Sequence, residues 1–243
     1  KRGRSGKVTI RVVRVLQPEQ VRAMSVAALS DLLRDELGFS HRRWQESAKI
    51  PFRSPAMAEG LERLLYLCPA CLGRSSIASK GDEVRCDACG ATWSLDVYDV
   101  LHGHPGDRAV HSVAEWHRWE RQAMRHIPDR LLFPPDRGVL LQCGVDGRLL
   151  TLSKRFALHL ERDRMTVSFD REIPSGMLEG QKTMVFMFDR IQSMIINAKA
   201  TVEFFHEEQL WRIRIAPDRS ILKYVEWYEA LGEPAASGQG EHA

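Results

Sequence analysis

Two Cys-x-x-Cys pairs, Cys68/Cys71 and Cys86/Cys89, stand fourteen residues apart in "CPACLGRSSIASKGDEVRCDAC". A Cys-x-x-Cys turn aims two sulfurs at one point. Two such turns, joined by a hairpin, set four thiolates at the corners of a tetrahedron. That is the closed coordination of structural zinc, with Zn–S near ~2.3 Å. The intervening residues fit: Gly73 and Gly81-Asp82 form turns, and "EVRC" reads as a short strand into the second turn. Gly90 follows Cys89, where a knuckle needs a permissive backbone. "LLYLC" is expected to enter the first turn as a strand. "ATWSLDVYD" should leave the second as another, with Trp93, Leu95 and Val97 alternating. Redox use of the motif calls for a single copy at a helix N-terminus after a strand; here there are two, each in a turn. The pattern predicts a zinc ribbon with ligands Cys68, Cys71, Cys86 and Cys89 and Zn2+ as a structural cofactor. Disulfides or an unloaded site are the alternatives. A closed four-sulfur site has no position for water or substrate, which points to structure rather than catalysis. Cys143, isolated in "LLQCG", is expected to be a buried strand residue.

Five cysteines, four of them in two close pairs, do not suggest a secreted disulfide framework, and the expected compartment is reducing and cytosolic. The chain has 243 residues, enough for more than one compact unit. Its 44% hydrophobic and 28% charged residues are ordinary for a soluble globular protein. No stretch approaches the roughly twenty apolar residues of a membrane span. The start, "KRGRSGKVTIRVVRVL", lacks the features of a signal peptide and reads as a chain entered midway. The formal charge of +3 implies no strong polyanion affinity. Basic residues do gather locally: Lys1, Arg2, Arg4, Lys7, Arg11 and Arg14, then Arg42, Arg43, Lys49 and Arg53. That patch suits anionic headgroups or nucleic acid, and equally a solvated surface.

Periodicity organises the remainder. "VTIRVVRVL" alternates and is expected to be a strand. Ser25 is the expected N-cap of a helix whose Val26, Leu29, Leu33 and Leu37 share a face, ending at Gly38. "SHRRWQES" is a further short helix. "VLHGHPGDRAV" reads as loop, and "HSVAEWHRWERQAMRHIP" as a helix with a Ser112/Glu115 capping box, stopped by Pro128. Its Trp116 and Trp119 are expected to pack on a neighbouring domain, with a membrane-interface anchor as the sharper alternative. From Gly138 the period is two. Asp146-Gly147 marks one hairpin and Arg162-Asp163 another, followed by "TMVFMF", "SMIIN", "TVEFFH" and "LWRIRI". A helix capped by Ser220 should bury Ile221, Tyr224, Val225 and Tyr228. Together these predict a small antiparallel barrel plugged by a terminal helix.

No self-sufficient active site is visible. His102 and Asp107 in "HGHPGD" have the H-x4-D spacing of glycerolipid acyltransferases. They sit in a Gly/Pro loop with no phosphate-binding sequence downstream, so the match is rejected. His104 and His111 could bind metal, but the cysteines already complete a site. There is no Gly-rich phosphate loop, G-x-S-x-G elbow or H-E-x-x-H. The scattered carboxylates read as solvated faces.

In order, "RGRSGKVTIRVVRVLQPEQVRAMSVAALSDLLRDEL", "WQE", "AEGLERLLYLCPAC", a second "CxxCG", "WxxW", "EFFHEEQLWRIRI" and "SILKYVEWYEAL" resemble a bacterial 1-acyl-sn-glycerol-3-phosphate (lysophospholipid) acyltransferase with its C-terminal extension. The resemblance runs from Lys1 to Leu231. It implies a multi-domain α+β chain: the end of an α/β acyltransferase domain (1–53), the four-cysteine zinc ribbon (54–101), a loop and Trp-bearing helical linker (102–136), a PH/GRAM-like antiparallel β-barrel with C-terminal helix (137–232) and a disordered tail (233–243). The implied reaction moves an acyl chain from acyl-CoA or acyl carrier protein to a lysophospholipid in phospholipid biosynthesis. The implied partners are the membrane surface, the lysophospholipid and the acyl donor, with a peripheral place on the cytoplasmic membrane. The family's catalytic H-x4-D and F-P-E-G blocks are not in this sequence, so no catalytic residue is assigned and an enzyme activity of the chain itself is left open. The alternative is a free-standing zinc-ribbon module for protein or nucleic acid. Asp82, Glu83, Asp87 and Asp96 offset Arg74, Lys80 and Arg85, which argues against nucleic acid.

Overall fold

The computed structural model describes residues 10–103, 110–128, 132–170, 180–197 and 200–232. The chain divides into two compact units, residues 1–50 and 51–243.

The first unit is helical. Helix α1 (Pro18–Ala23) leads to α2 (Val26–Leu37), where Ser25 accepts the Ala28 amide at 3.1 Å, as an N-cap serine should. Gly38 closes α2, in extended rather than left-handed backbone. Helix α3 (His41–Ala48) is capped by Ser40. The strand expected over residues 8–16 is not formed where it is described: residues 10–16 join no ladder, and Ile10 is 90% exposed. β-branched alternation makes a strand only beside a neighbour that satisfies its amides, and among the described residues none pairs with it. The apolar face of α2 is uncovered, with Val26 and Leu37 exposed. An acyltransferase-like domain is therefore not seen here. Arg14 pairs with Glu36 and Arg42 with Glu46. Lys1, Arg2, Arg4 and Lys7 lie outside the described residues.

The second unit holds two antiparallel sheets. The smaller runs β1 (Ile77–Lys80), β2 (Glu83–Cys86), β3 (Thr92–Leu95) and β4 (Leu101–Gly103), in that order. Gly81-Asp82 makes the β1–β2 turn, with Gly81 at φ 62°. Two expectations need correction. "LLYLC" makes only one bridge, Leu67 to Arg74, because the chain there turns inward to Cys68. Residues 101–103, read as loop, pair with β3. Helix α4 (Val113–Met124) follows, with Ser112 accepting the Glu115 amide; the Glu115 carboxylate reaches the His111 amide, one residue before the cap.

The larger sheet uses all the strands expected after Gly138: β5 (Asp136–Val145), β6 (Arg148–Ser153), β7 (Phe156–Leu160), β8 (Arg164–Ser168), β9 (Thr183–Met187), β10 (Ile191–Ile196), β11 (Thr201–His206) and β12 (Gln209–Ile215). The path is β10-β11-β12-β5-β7-β8-β9, with β6 also against β5. Both residues of the Asp146-Gly147 turn have positive φ, as a two-residue hairpin demands. Gly138 is required where β5 meets β7, since a Cβ there would fall 2.1 Å from the Phe156 ring. The expected barrel is not closed by hydrogen bonds. Among the described residues no ladder joins β9 to β10, because the chain makes a 3-10 corner at Phe188–Arg190 between them. Helix α5 (Leu222–Gly232) buries Tyr224 and Val225 and half-buries Tyr228, and Ile221, just before it, is buried too. Ser220, the expected cap, is itself buried, and its hydroxyl has no hydrogen-bond partner among the described residues. The tail 233–243 lies outside the described residues.

Two apolar cores result. One fills the ribbon around Leu65, Val84, Trp93 and Trp116; the other lies under the large sheet around Tyr66, Leu67, Phe133 and Tyr224. In the run Leu65–Cys68 the two end residues belong to the ribbon core and the two middle ones, Tyr66 and Leu67, to the sheet core, and α4 gives Trp116 to the first and Met124 to the second.

Candidate metal centre

The fold brings all four sequence-predicted ligands together. The Sγ atoms of Cys68, Cys71, Cys86 and Cys89 lie within 4.8 Å of one another. Cys68 and Cys89 are 3.8 Å apart, as are Cys71 and Cys86. A regular tetrahedron with zinc–sulfur bonds of ~2.3 Å has edges of about 3.8 Å, so the donor set fits such an ion. A disulfide needs about 2.05 Å, and all five cysteines are free thiols. Four cysteines that could hold one metal ion are thus shown. Cys143 is apart from them, fully buried on β5 as expected.

The two knuckles share one backbone pattern. The Leu72 amide donates to the Cys68 carbonyl at 2.9 Å, and the Gly90 amide to the Cys86 carbonyl at 2.8 Å. The Cys68 amide then reaches Gly73 O and the Cys86 amide Ala91 O. The pivot residues, Leu72 and Gly90, have φ of 61° and 78°. Each knuckle therefore bends its chain so that amides point at sulfur; the Gly73 amide lies 3.3 Å from Cys71 Sγ. Burial pushes the Cys86 thiol up, but the Ser76 hydroxyl at 3.2 Å and the Cys89 and Ala88 amides overcome it and bring it down to about 7. Burial raises Cys68 and Cys71 against similar amides. A bound cation removes the thiol protons outright and reverses that cost.

Buried charge behind the first knuckle was not anticipated from sequence. The Glu120 carboxylate is fully buried and accepts the amides of Tyr66 (2.8 Å) and Leu67 (3.0 Å), just before Cys68. His117 lies between carboxylates, Nδ1 2.9 Å from Glu120 and Nε2 2.8 Å from Glu226. The Tyr66 hydroxyl donates to Glu226 at 2.7 Å, and Trp116 Nε1 to the Leu67 carbonyl at 2.8 Å. Burial depresses His117, yet the two carboxylates outweigh it and lift it to about 9. Burial raises Glu120 to about 7 despite His117 and the two amides. A second cluster joins the ribbon to the sheet. Lys223 Nζ, fully buried, lies 2.7 Å from Asp136 Oδ2 and 3.0 Å from Ser75 Oγ, and the Tyr224 hydroxyl donates to the same Asp136 oxygen at 2.7 Å. These carboxylates correct the expectation of solvated acidic faces. The i, i+4, i+8 spacing of Trp116, Glu120 and Met124 was the available signal for Glu120.

Trp116 is fully buried, its ring 4.5 Å from that of Trp93, so it packs on the ribbon and is no membrane anchor. His102 sits on β4, bonded to Asp96 at 2.8 Å. The Asp96 carboxyl is lowered, because His102 and the Val100 and Tyr98 amides outweigh burial. His104 and Asp107 lie outside the described residues. Among the described residues, no helix is long and apolar enough to cross a membrane.

No family model and no curated protein matches the sequence. Among solved structures the chain is similar to the N-terminal PH domain of ARAP2 protein from human, at 9% identity over 44% of this chain and 87% of that one, with a TM-score of 0.26. A likeness that weak bears on neither fold nor function.

Proposed function

We propose that Cys68, Cys71, Cys86 and Cys89 hold one structural zinc ion, and that residues 51–232 act as a non-catalytic scaffold fastening this ribbon to a PH- or GRAM-like sheet module. The carrying observation is the closed set of four sulfurs, all within 4.8 Å, in a hairpin whose amides serve them. A tetrahedral four-thiolate site selects zinc or iron. The PH- or GRAM-like reading is supported by strand order. The sheet is a meander whose second strand is broken at 154–155 into β6 and β7, its first strand pairs with its last, and a helix follows.

On the resemblance set out above, we place this scaffold in a glycerolipid acyltransferase. That enzyme carries an acyl chain from acyl-CoA or acyl carrier protein to a lysophospholipid and is peripheral on the cytoplasmic membrane. The order of motifs supports this reading, and the chemistry belongs to residues outside this sequence. A nucleic-acid ribbon is disfavoured by acidic residues at the knuckles, where Asp87 already pairs with Arg85 at 2.8 Å.

Elemental analysis of chain purified without added metal tests the first proposal. One zinc per chain is expected, with five thiols appearing only in denaturant plus chelator. Iron, or no metal with fewer than five thiols, overturns it. For the second, the chain supplied with acyl-CoA and lysophosphatidic acid should form no phosphatidic acid, and turnover would contradict the assignment. A genomic reading frame that runs through Lys1 without H-x4-D and F-P-E-G blocks ahead of it removes the acyltransferase reading.

A further inference from the structure

The two knuckles have equivalent turns but different approaches. The second is entered by β2, which lies between β1 and β3, so ladder partners serve the residues ahead of Cys86. The residues ahead of Cys68 form no strand, and Leu67 makes a single bridge to Arg74. Two consecutive amides there turn to a side chain instead. Glu120 Oε2 accepts both, from Tyr66 at 2.8 Å and from Leu67 at 3.0 Å. Trp116, one turn earlier on the same face of α4, donates from Nε1 to the Leu67 carbonyl at 2.8 Å. Helix α4 therefore grips Leu67 by its amide and by its carbonyl, and that carbonyl carbon is bonded to the Cys68 nitrogen. The grip is dry, with Leu67 2% exposed and Trp116 and Glu120 0%. The carboxylate is held in its turn: Oε1 lies 2.9 Å from His117 Nδ1, and His117 Nε2 lies 2.8 Å from Glu226 on α5.

We infer that Glu120 is a positioning residue for the metal, fixing the Cys68 knuckle through the Tyr66 and Leu67 amides, with Trp116 as its partner. It is not a ligand, since four sulfurs already complete the tetrahedron. Groups that orient metal ligands from outside the coordination sphere typically change affinity 10–100-fold when lost. What the carboxylate supplies here is an acceptor. Without it two buried amides lose their partner in a place that water does not reach. A knuckle that must satisfy those amides elsewhere no longer holds Cys68 where the other three sulfurs meet. The inference rests on the proposal that the four cysteines bind zinc.

Competition for zinc between the full chain and a chromophoric chelator tests it. Glu120→Met keeps the length of the side chain but offers the amides no acceptor, and zinc binding should weaken by about 10–100-fold. Glu120→Gln keeps an oxygen for the two amides and should recover most of that loss. Trp116→Phe keeps a ring against Trp93 but not the indole N–H, and should weaken zinc by about fivefold. Met165→Ala opens a cavity in the other core and should leave zinc affinity unchanged. Wild-type affinity in Glu120→Met overturns the inference. So does an equal loss in Met165→Ala, which would assign the effect to general loosening. A Glu120→Gln no better than Glu120→Met also overturns it, by assigning the effect to charge. If Glu120→Met does not fold, Trp116→Phe decides, and unchanged affinity there overturns the inference. Wild-type chain that takes up no zinc refutes the zinc reading together with this one.

Discussion

Lys223 and Asp136 are a fully buried ion pair, and the surrounding residues explain how an ammonium tolerates that place. Asp136, Ser75 and the ring of Phe133, 5.1 Å below, together replace its water. Removing one partner leaves an uncompensated buried charge, which costs roughly 3–5 kcal/mol. Lys223→Met should therefore lower the unfolding free energy by about that much, as read from urea midpoints. Adding Asp136→Asn should restore part of the loss, the non-additivity expected of touching residues. A purely additive cycle would mean the pair is not coupled. His117 makes a prediction in pH. It faces Glu120 and Glu226; the Tyr66 hydroxyl donates to the same Glu226 carboxylate, and Arg121 forms an ion pair with it at 3.7 Å. Its folded pKa of about 9 exceeds the ordinary 6.5, so its stabilisation is full below 6.5 and is lost as pH rises through 9. Glu120, raised from 4.5 to about 7, acts in the same direction over its own lower window. With zinc saturating, the urea midpoint should fall between pH 6.5 and 9, and His117→Gln should flatten that decline. An unchanged slope in the variant would exclude His117 as its source.

At the scale of elements, the ribbon has little else to hold it. Its four strands are three or four residues long, and its core is a single small cluster. Metal binding supplies folding free energy in such units. Cys68→Ser with Cys71→Ser should unfold the ribbon, seen as solvent exposure of Trp93 by fluorescence quenching. A variant with the wild-type thermal transition would refute a structural role for the metal. This ribbon was legible because knuckle chemistry is local, with two cysteines and a pivot at fixed offsets. The Asp146-Gly147 hairpin and the Ser112 cap were legible for the same reason. Three features depend on distant partners and were missed. Residues 101–103 pair with β3 despite loop-like composition, residues 10–16 join no ladder among the described residues despite strand-like alternation, and Lys223 meets Asp136 although nearly the whole large sheet separates them in sequence. The closure of the sheet was also misjudged, because the corner at Phe188–Arg190 has no sequence signature as strong as a hairpin turn.

At the scale of the second unit, the ribbon and the large sheet share their interior. Tyr66 and Leu67 belong to the sheet core, while their neighbours Leu65 and Cys68 belong to the ribbon core. Removing the metal should therefore be felt in the sheet. In hydrogen exchange, chelation is expected to speed exchange of α5 and β5 amides as well as ribbon amides. Protection of α5 unchanged by chelation would show that the two cores are energetically separate. The Tyr66–Glu226 bond closes a sequence separation of 160 residues, and the Lys223–Ser75 bond one of 148. Both depend on α5, the last element described. Tyr66, Ser75, His117 and Asp136 thus leave the ribosome long before their α5 partners exist. Contacts of such range are slow to form because the chain must close large loops first. Helix α5 is then a latch on a nascent chain, closing on a metal-bearing half that was made long before it.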